Sequence, residues 1–96
     1  MSELYWSEDA ETDLDDITAY IARSNAGAAV RMRGEIERRI EVLADHPEVG
    51  RRGRVTGTRE MVLAGTPYIA VYLIRGDDVT VLRVLHGGQR WPPFAG

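Results

Sequence analysis

The 96-residue chain has no cysteine and no lysine, and all twelve of its basic residues are arginine. Without cysteine there is neither a disulfide framework nor a thiolate metal site. The two histidines, His46 and His86, stand far apart and do not make a ligand set, so neither a metal nor a cofactor is expected. No apolar run approaches the ~18 residues of a membrane span. The opening stretch "MSELYWSEDAETD" is acidic and lacks the basic start and apolar centre of a signal peptide. A cytoplasmic protein with no membrane partner is the expectation. Repeats, low-complexity tracts and linkers are also missing, which points to a single domain over residues 1–96 with one modest core.

What is present is an uneven distribution of charge. The net value is −3, yet residues 1–16 hold seven acids and no base. Residues 51–59, "RRGRVTGTR", hold four arginines and no acid. The remainder is balanced. A protein that wraps nucleic acid needs a broad basic face to neutralise many phosphates. This chain has instead an acidic body with one compact basic segment, suited to gripping carboxylates or phosphates by the two-pronged geometry of arginine. Arg51, Arg52, Arg54 and Arg59 are therefore candidate partner-binding residues; the competing reading is a solvated loop whose exposed ion pairs are each worth little.

Hydropathy changes period along the chain. "ELYW" (3–6) reads as a short strand. Ser7 is placed to cap a helix in which Ala10, Leu14, Ile17 and Ile21 form one apolar stripe, with Glu8, Asp9 and Glu11 favoured by the helix dipole. Asn25 is a cap for a second helix whose stripe is Ala29, Met32, Ile36, Ile40 and Leu43, ended by "DHPEVG". From residue 59 the period falls to about two. Three β-rich runs, "REMVLA", "YIAVYLIR" and "VTVLRVLH", are joined by "GTP" and "GDD", connections short enough to force an antiparallel meander. The predicted fold is α+β, in the order β-α-α-β-β-β, with a helical hairpin packed on a small antiparallel sheet.

The last strand carries the most informative residues. Strict alternation puts Val79, Val81, Arg83 and Leu85 on one face and Thr80, Leu82, Val84 and His86 on the other. With Leu82 and Val84 packed on the helices, Arg83 points to the uncovered face and needs water, an anion or an acid such as Glu60 beside it. His86 ends the strand, either as a structural donor or as a general acid or base. Beyond it, "GGQRWPPF" offers Trp91 and Phe94 as a lid over the open face, or as a surface for stacking a base or anchoring a partner.

The ordered set "DLDDITAYIA" (13–22), "HPEVGRRG" (46–53), "GTREMV" (57–62) and "VLRVLHGGQRWP" (81–92) resembles the RelE/ParE superfamily of type II toxin–antitoxin toxins. The resemblance implies a compact toxin held inactive by a cognate antitoxin in a hetero-oligomer. It also implies one of two activities. ParE-like members poison DNA gyrase by binding. RelE-like members are metal-independent endoribonucleases that cut mRNA on the ribosome; in that case Arg59 and Arg83 would contact the phosphate and His86 would move protons. The absent lysines, the lack of a C-terminal tyrosine and the acidic pI of about 5.3 favour the non-enzymatic, ParE-like branch. On that reading Arg51, Arg52, Arg54, Arg59, Arg83 and Trp91 meet the antitoxin or the target.

Overall fold

The computed structural model describes residues 3–92; Phe94, one of the two expected tail aromatics, lies outside that range. The elements follow as β1 (Leu4–Trp6), α1 (Glu8–Ala22), α2 (Ala26–Asp45), β2 (Arg51–Arg52), β3 (Arg59–Val62), β4 (Tyr68–Arg75) and β5 (Asp78–His86). Both helix starts are set by the expected side chains. The Ser7 hydroxyl accepts from the backbone N–H of Ala10, and the Asn25 side chain accepts from that of Ala28, each satisfying a donor the first turn leaves free.

The sheet runs in the order β1-β5-β4-β3-β2. The meander β3-β4-β5 is antiparallel as expected. Two features go beyond the expectation: β1 pairs parallel to β5, and the arginine segment contributes β2, a two-residue edge strand antiparallel to β3. The β4–β5 turn is the two-residue Gly76-Asp77, with Gly76 at φ +63° in the first central position, where a side chain would be strained.

One face of the sheet carries the helical hairpin. Ala10 and Leu14 of α1 and Ile36, Ile40 and Leu43 of α2 meet Ala70 and Tyr72 of β4 and Val79, Val81 and Val84 of β5 in a single core. Val79, Val81 and Val84 cannot share a face under strict alternation. They do so because the pairing skips Leu82: Val71 faces Arg83, but Tyr72 faces Val81. This β-bulge resets the side-chain parity of the last strand. Val84 therefore packs on the helices as expected, whereas Leu82 does not, and Val79 and Val81 lie on the helical side rather than away from it.

Candidate functional site

The pairing register assigns the site residues to faces. Arg51, Glu60, Val71 and Arg83 lie in one row across β2, β3, β4 and β5. Arg52, Arg59, Tyr72 and Val81 form the adjacent row and point the opposite way, toward the helical side. His86 faces Tyr68 at the far end of β5 and shares the parity of Val84. The three residues a nuclease would need are thus not brought together. Arg59 and Arg83 leave opposite faces, and His86 is separated from Arg59 by four residues along β4, about 13 Å of strand.

Each of the three also has its own engagement. The Arg59 guanidinium donates to the carbonyl of Gly50 at 2.7 Å and, more weakly, to that of Glu48 at 3.4 Å. His86 is exposed; its Nδ1 accepts from the backbone N–H of Gly88, and its ring stands edge-on to Tyr68 at 5.9 Å. Arg83 does leave the sheet on the side opposite the helices, but its guanidinium is not left to water or to an anion. It bends around the edge of the sheet to Asp13 of α1, donating from Nε at 2.7 Å and from a terminal nitrogen at 2.9 Å, a bidentate fork. The partner acid is Asp13, not Glu60. The carboxylate raises the pKa of the guanidinium, outweighing the opposing effect of burial.

This pairing follows from the way α1 lies along the outer edge of β5. Strand β1 covers only residues 79–81 of that edge. Beyond it, the Ser7 N–H and hydroxyl donate to the carbonyls of Val81 and Leu82, and Asp13 Oδ2 accepts from the N–H of Val84 at 2.9 Å. The helix start closes the exposed edge side chain by side chain, as edge strands require. The guanidinium of Arg83 then sits 5.3 Å from the ring centre of Trp91, within cation–π range. Trp91 is thus folded back against Arg83, and its indole N–H is buried without an acceptor among the described residues. Val71, Ile69 and Leu85, which share the face of Arg83, are buried too, although they lie opposite the helices.

At the opposite edge the arginine segment is organised by Glu60. This carboxylate is 2% exposed and accepts from the Arg54 backbone N–H at 2.9 Å and from the Arg54 guanidinium at 3.1 Å, with Arg51 farther away at 3.5 Å. Burial acts to raise its pKa, but the Arg54 side-chain and backbone hydrogen bonds hold it below the ordinary glutamate value. Arg54 is therefore a structural counter-ion first. Arg51 and Arg52 are exposed, and Arg52 makes no ion pair among the described residues. Arg52, Arg54 and Arg59 border a shallow depression of about 440 Å³ floored by Gly53 and Gly57. Gly53 has no room for a side chain, because a Cβ there would collide with the Thr58 hydroxyl.

Asp13 was not legible as a site residue. It stands directly before the core residue Leu14, so it flanks the apolar stripe of α1 and is 13% exposed at its side chain. An acid at the margin of a buried stripe, with an arginine in a strand to be buried, is the signal that could have suggested the pair. Among the described residues no group of acids and histidines is disposed to hold a metal ion. No helix of the described residues is long and apolar enough to cross a membrane.

A helical hairpin on one face of a five-stranded mixed sheet is an arrangement that solved structures share. A solved structure titled the chromosomal ParDE TA system from P. aeruginosa matches it with a TM-score of 0.80 and 26% identity, over 90% of this chain and 96% of that one. "Putative toxin Y4kP" of Sinorhizobium fredii is 44% identical over 87 residues, 91% of this chain and 90% of that protein. The family described as ParE toxin of type II toxin-antitoxin system, parDE, matches residues 4–91. The chain belongs to this ParE toxin family.

Proposed function

We propose that the protein is a toxin that poisons DNA gyrase by protein–protein contact and is neutralised in the cytoplasm by a cognate antitoxin, with which it forms a hetero-oligomer. The observation that carries this reading is the bidentate Arg83–Asp13 pair. It commits the arginine that a nuclease would aim at a phosphodiester, while Arg59 is spent on backbone carbonyls on the other face. What remains available is a set of contact surfaces: the exposed arginines of β2, and the open sheet face around Trp91, beside which Arg83 is held in place. Arginine and tryptophan are the residue types that anchor protein interfaces. The antitoxin that fits is an amphipathic helix followed by an extended, partly acidic segment, lying over the open face and reaching Arg51 and Arg52.

The test is direct. Purified toxin is incubated with gyrase and supercoiled plasmid, and separately with translating ribosomes. Accumulation of cleaved DNA–gyrase complexes with intact mRNA is the expected result. Codon-spaced mRNA cuts that disappear in His86→Ala would replace this reading with ribonuclease activity.

A further inference from the structure

We propose that Asp13 is a positioning residue for the toxin's contact surface: through Arg83 it fixes Trp91 in the place from which its ring meets the target. The proposal rests on the binding-type reading above. Three observations converge on Asp13. Its carboxylate accepts both prongs of the Arg83 guanidinium, at 2.7 and 2.9 Å. The same carboxylate takes the backbone N–H of Val84 at 2.9 Å, which locks the strand that bears Arg83. The guanidinium so held faces the Trp91 ring at 5.3 Å.

Among the described residues, the other bonds after β5 hold its turn rather than Trp91: Gly88 N–H donates to His86 Nδ1 and the Gln89 side-chain oxygen accepts from the His86 N–H. The same turn is fixed by Gly87 N–H to the Pro67 carbonyl and Gln89 N–H to the His86 carbonyl. Gly87 and Gly88 put two residues without side chains between the strand and the tail. Among the described residues the buried Trp91 N–H finds no acceptor, and the polar group its ring does meet is the Arg83 guanidinium. A free guanidinium on a long stem would sample many rotamers; the planar fork on a carboxylate removes that freedom and presents a fixed cationic plane to the ring. Asp13 itself is nearly covered, so it acts through Arg83 and not by touching the partner.

The experiment uses the full chain. The protein has two tryptophans, so Trp6→Phe leaves Trp91 as sole emitter. In this background Asp13→Asn keeps the shape of the side chain but removes its charge. The expected result is a red-shifted Trp91 emission and an acrylamide quenching constant raised roughly twofold, with helix content by circular dichroism unchanged. Arg83→Met, which leaves the Asp13–Val84 bond in place, should release Trp91 in the same way and serves if Asp13→Asn does not fold. Unchanged Trp91 shielding in both variants overturns the positioning role, whatever the target is. In the gyrase assay, with Trp6 restored, Asp13→Asn should need roughly tenfold more toxin for the same cleavage. Released Trp91 with gyrase poisoning equal to the parent's would sink the link to the target. Released Trp91 with a parent that never poisons gyrase would leave the positioning role standing and refute the gyrase reading instead.

Discussion

Two buried polar side chains hold the arginine segment against the sheet, and each answers to a single substitution. Tyr72 is fully buried, and its hydroxyl donates to the Pro47 carbonyl at 2.7 Å while accepting from the Gly50 N–H at 2.9 Å. Tyr72→Phe strands both backbone groups and should cost about 2 kcal/mol in urea denaturation. Gly50→Ala attacks the same joint from the other side, since a Cβ there would stand 2.5 Å from the Tyr72 hydroxyl and 2.9 Å from the Glu60 carbonyl. Glu60 supplies the pH dependence. Its folded pKa lies below the ordinary value of 4.5, so the unfolded chain takes up a proton first as pH falls. The stabilisation from its ionised form is complete above about pH 4.5 and drains away as pH drops through the lower, folded value. Melting temperature followed from pH 7 to pH 3 should fall less steeply in Glu60→Gln than in the parent, from a lower starting point. Parallel curves would show that Glu60 contributes nothing to acid sensitivity.

At the scale of elements, the joint between β1 and α1 does most to define the site. Ser7 caps α1 through Ala10 and also ties its start to β5 through Leu82. Ser7→Ala removes both bonds and should cost about 1–2 kcal/mol, with the loss of protection in hydrogen exchange concentrated in the first turn of α1 and along residues 81–84 of β5. Uniform loss across the chain would mean the cap is not coupled to the edge. Helices, caps and meander were all legible because each rests on local chemistry: a 3.6-residue stripe, a hydroxyl or amide before it, a glycine in a turn. The direction of Arg83 was only half legible. Alternation with Val84, which does pack on the helices, sent it to the right side, but the bulge at Leu82 flips the parity of the strand before it, so that Leu82 leaves the helical side and Val79 and Val81 join it. A bulge leaves no periodic trace in one strand; it is a mismatch between two. Its acid partner was hidden for a related reason. Asp13 lies 70 residues from Arg83 in sequence, and no local pattern joins an acid on one helix flank to a strand edge.

For the whole molecule the unequal distribution of charge becomes a geometric fact. Acids crowd α1 at one edge of the sheet, where Asp13 is consumed by Arg83, and the arginine segment occupies the other edge as β2 and its turn. The sequence alone nominated Arg51, Arg52, Arg54 and Arg59 as equivalent contacts. In the fold they divide. Reversing Arg54 or Arg59 would remove the counter-ion of a buried carboxylate or the donor to the Gly50 carbonyl, so weakened binding in those variants would report damage to the toxin itself. Arg52, exposed and without an ion-pair partner among the described residues, is the clean probe. The acidic antitoxin segment proposed above would be steered to this edge by long-range attraction, which acts on the encounter rate and fades over a Debye length of about 8 Å at physiological salt. Arg52→Glu should therefore leave the melting temperature within about 1 °C of the parent's, since exposed single charges contribute little to stability. It should slow antitoxin association by roughly tenfold at low salt, flatten the salt dependence of that rate, and change dissociation much less. An association rate equal to the parent's at every ionic strength would show that the antitoxin does not approach by the arginine edge, and the open face around Trp91 would then have to account for recognition alone.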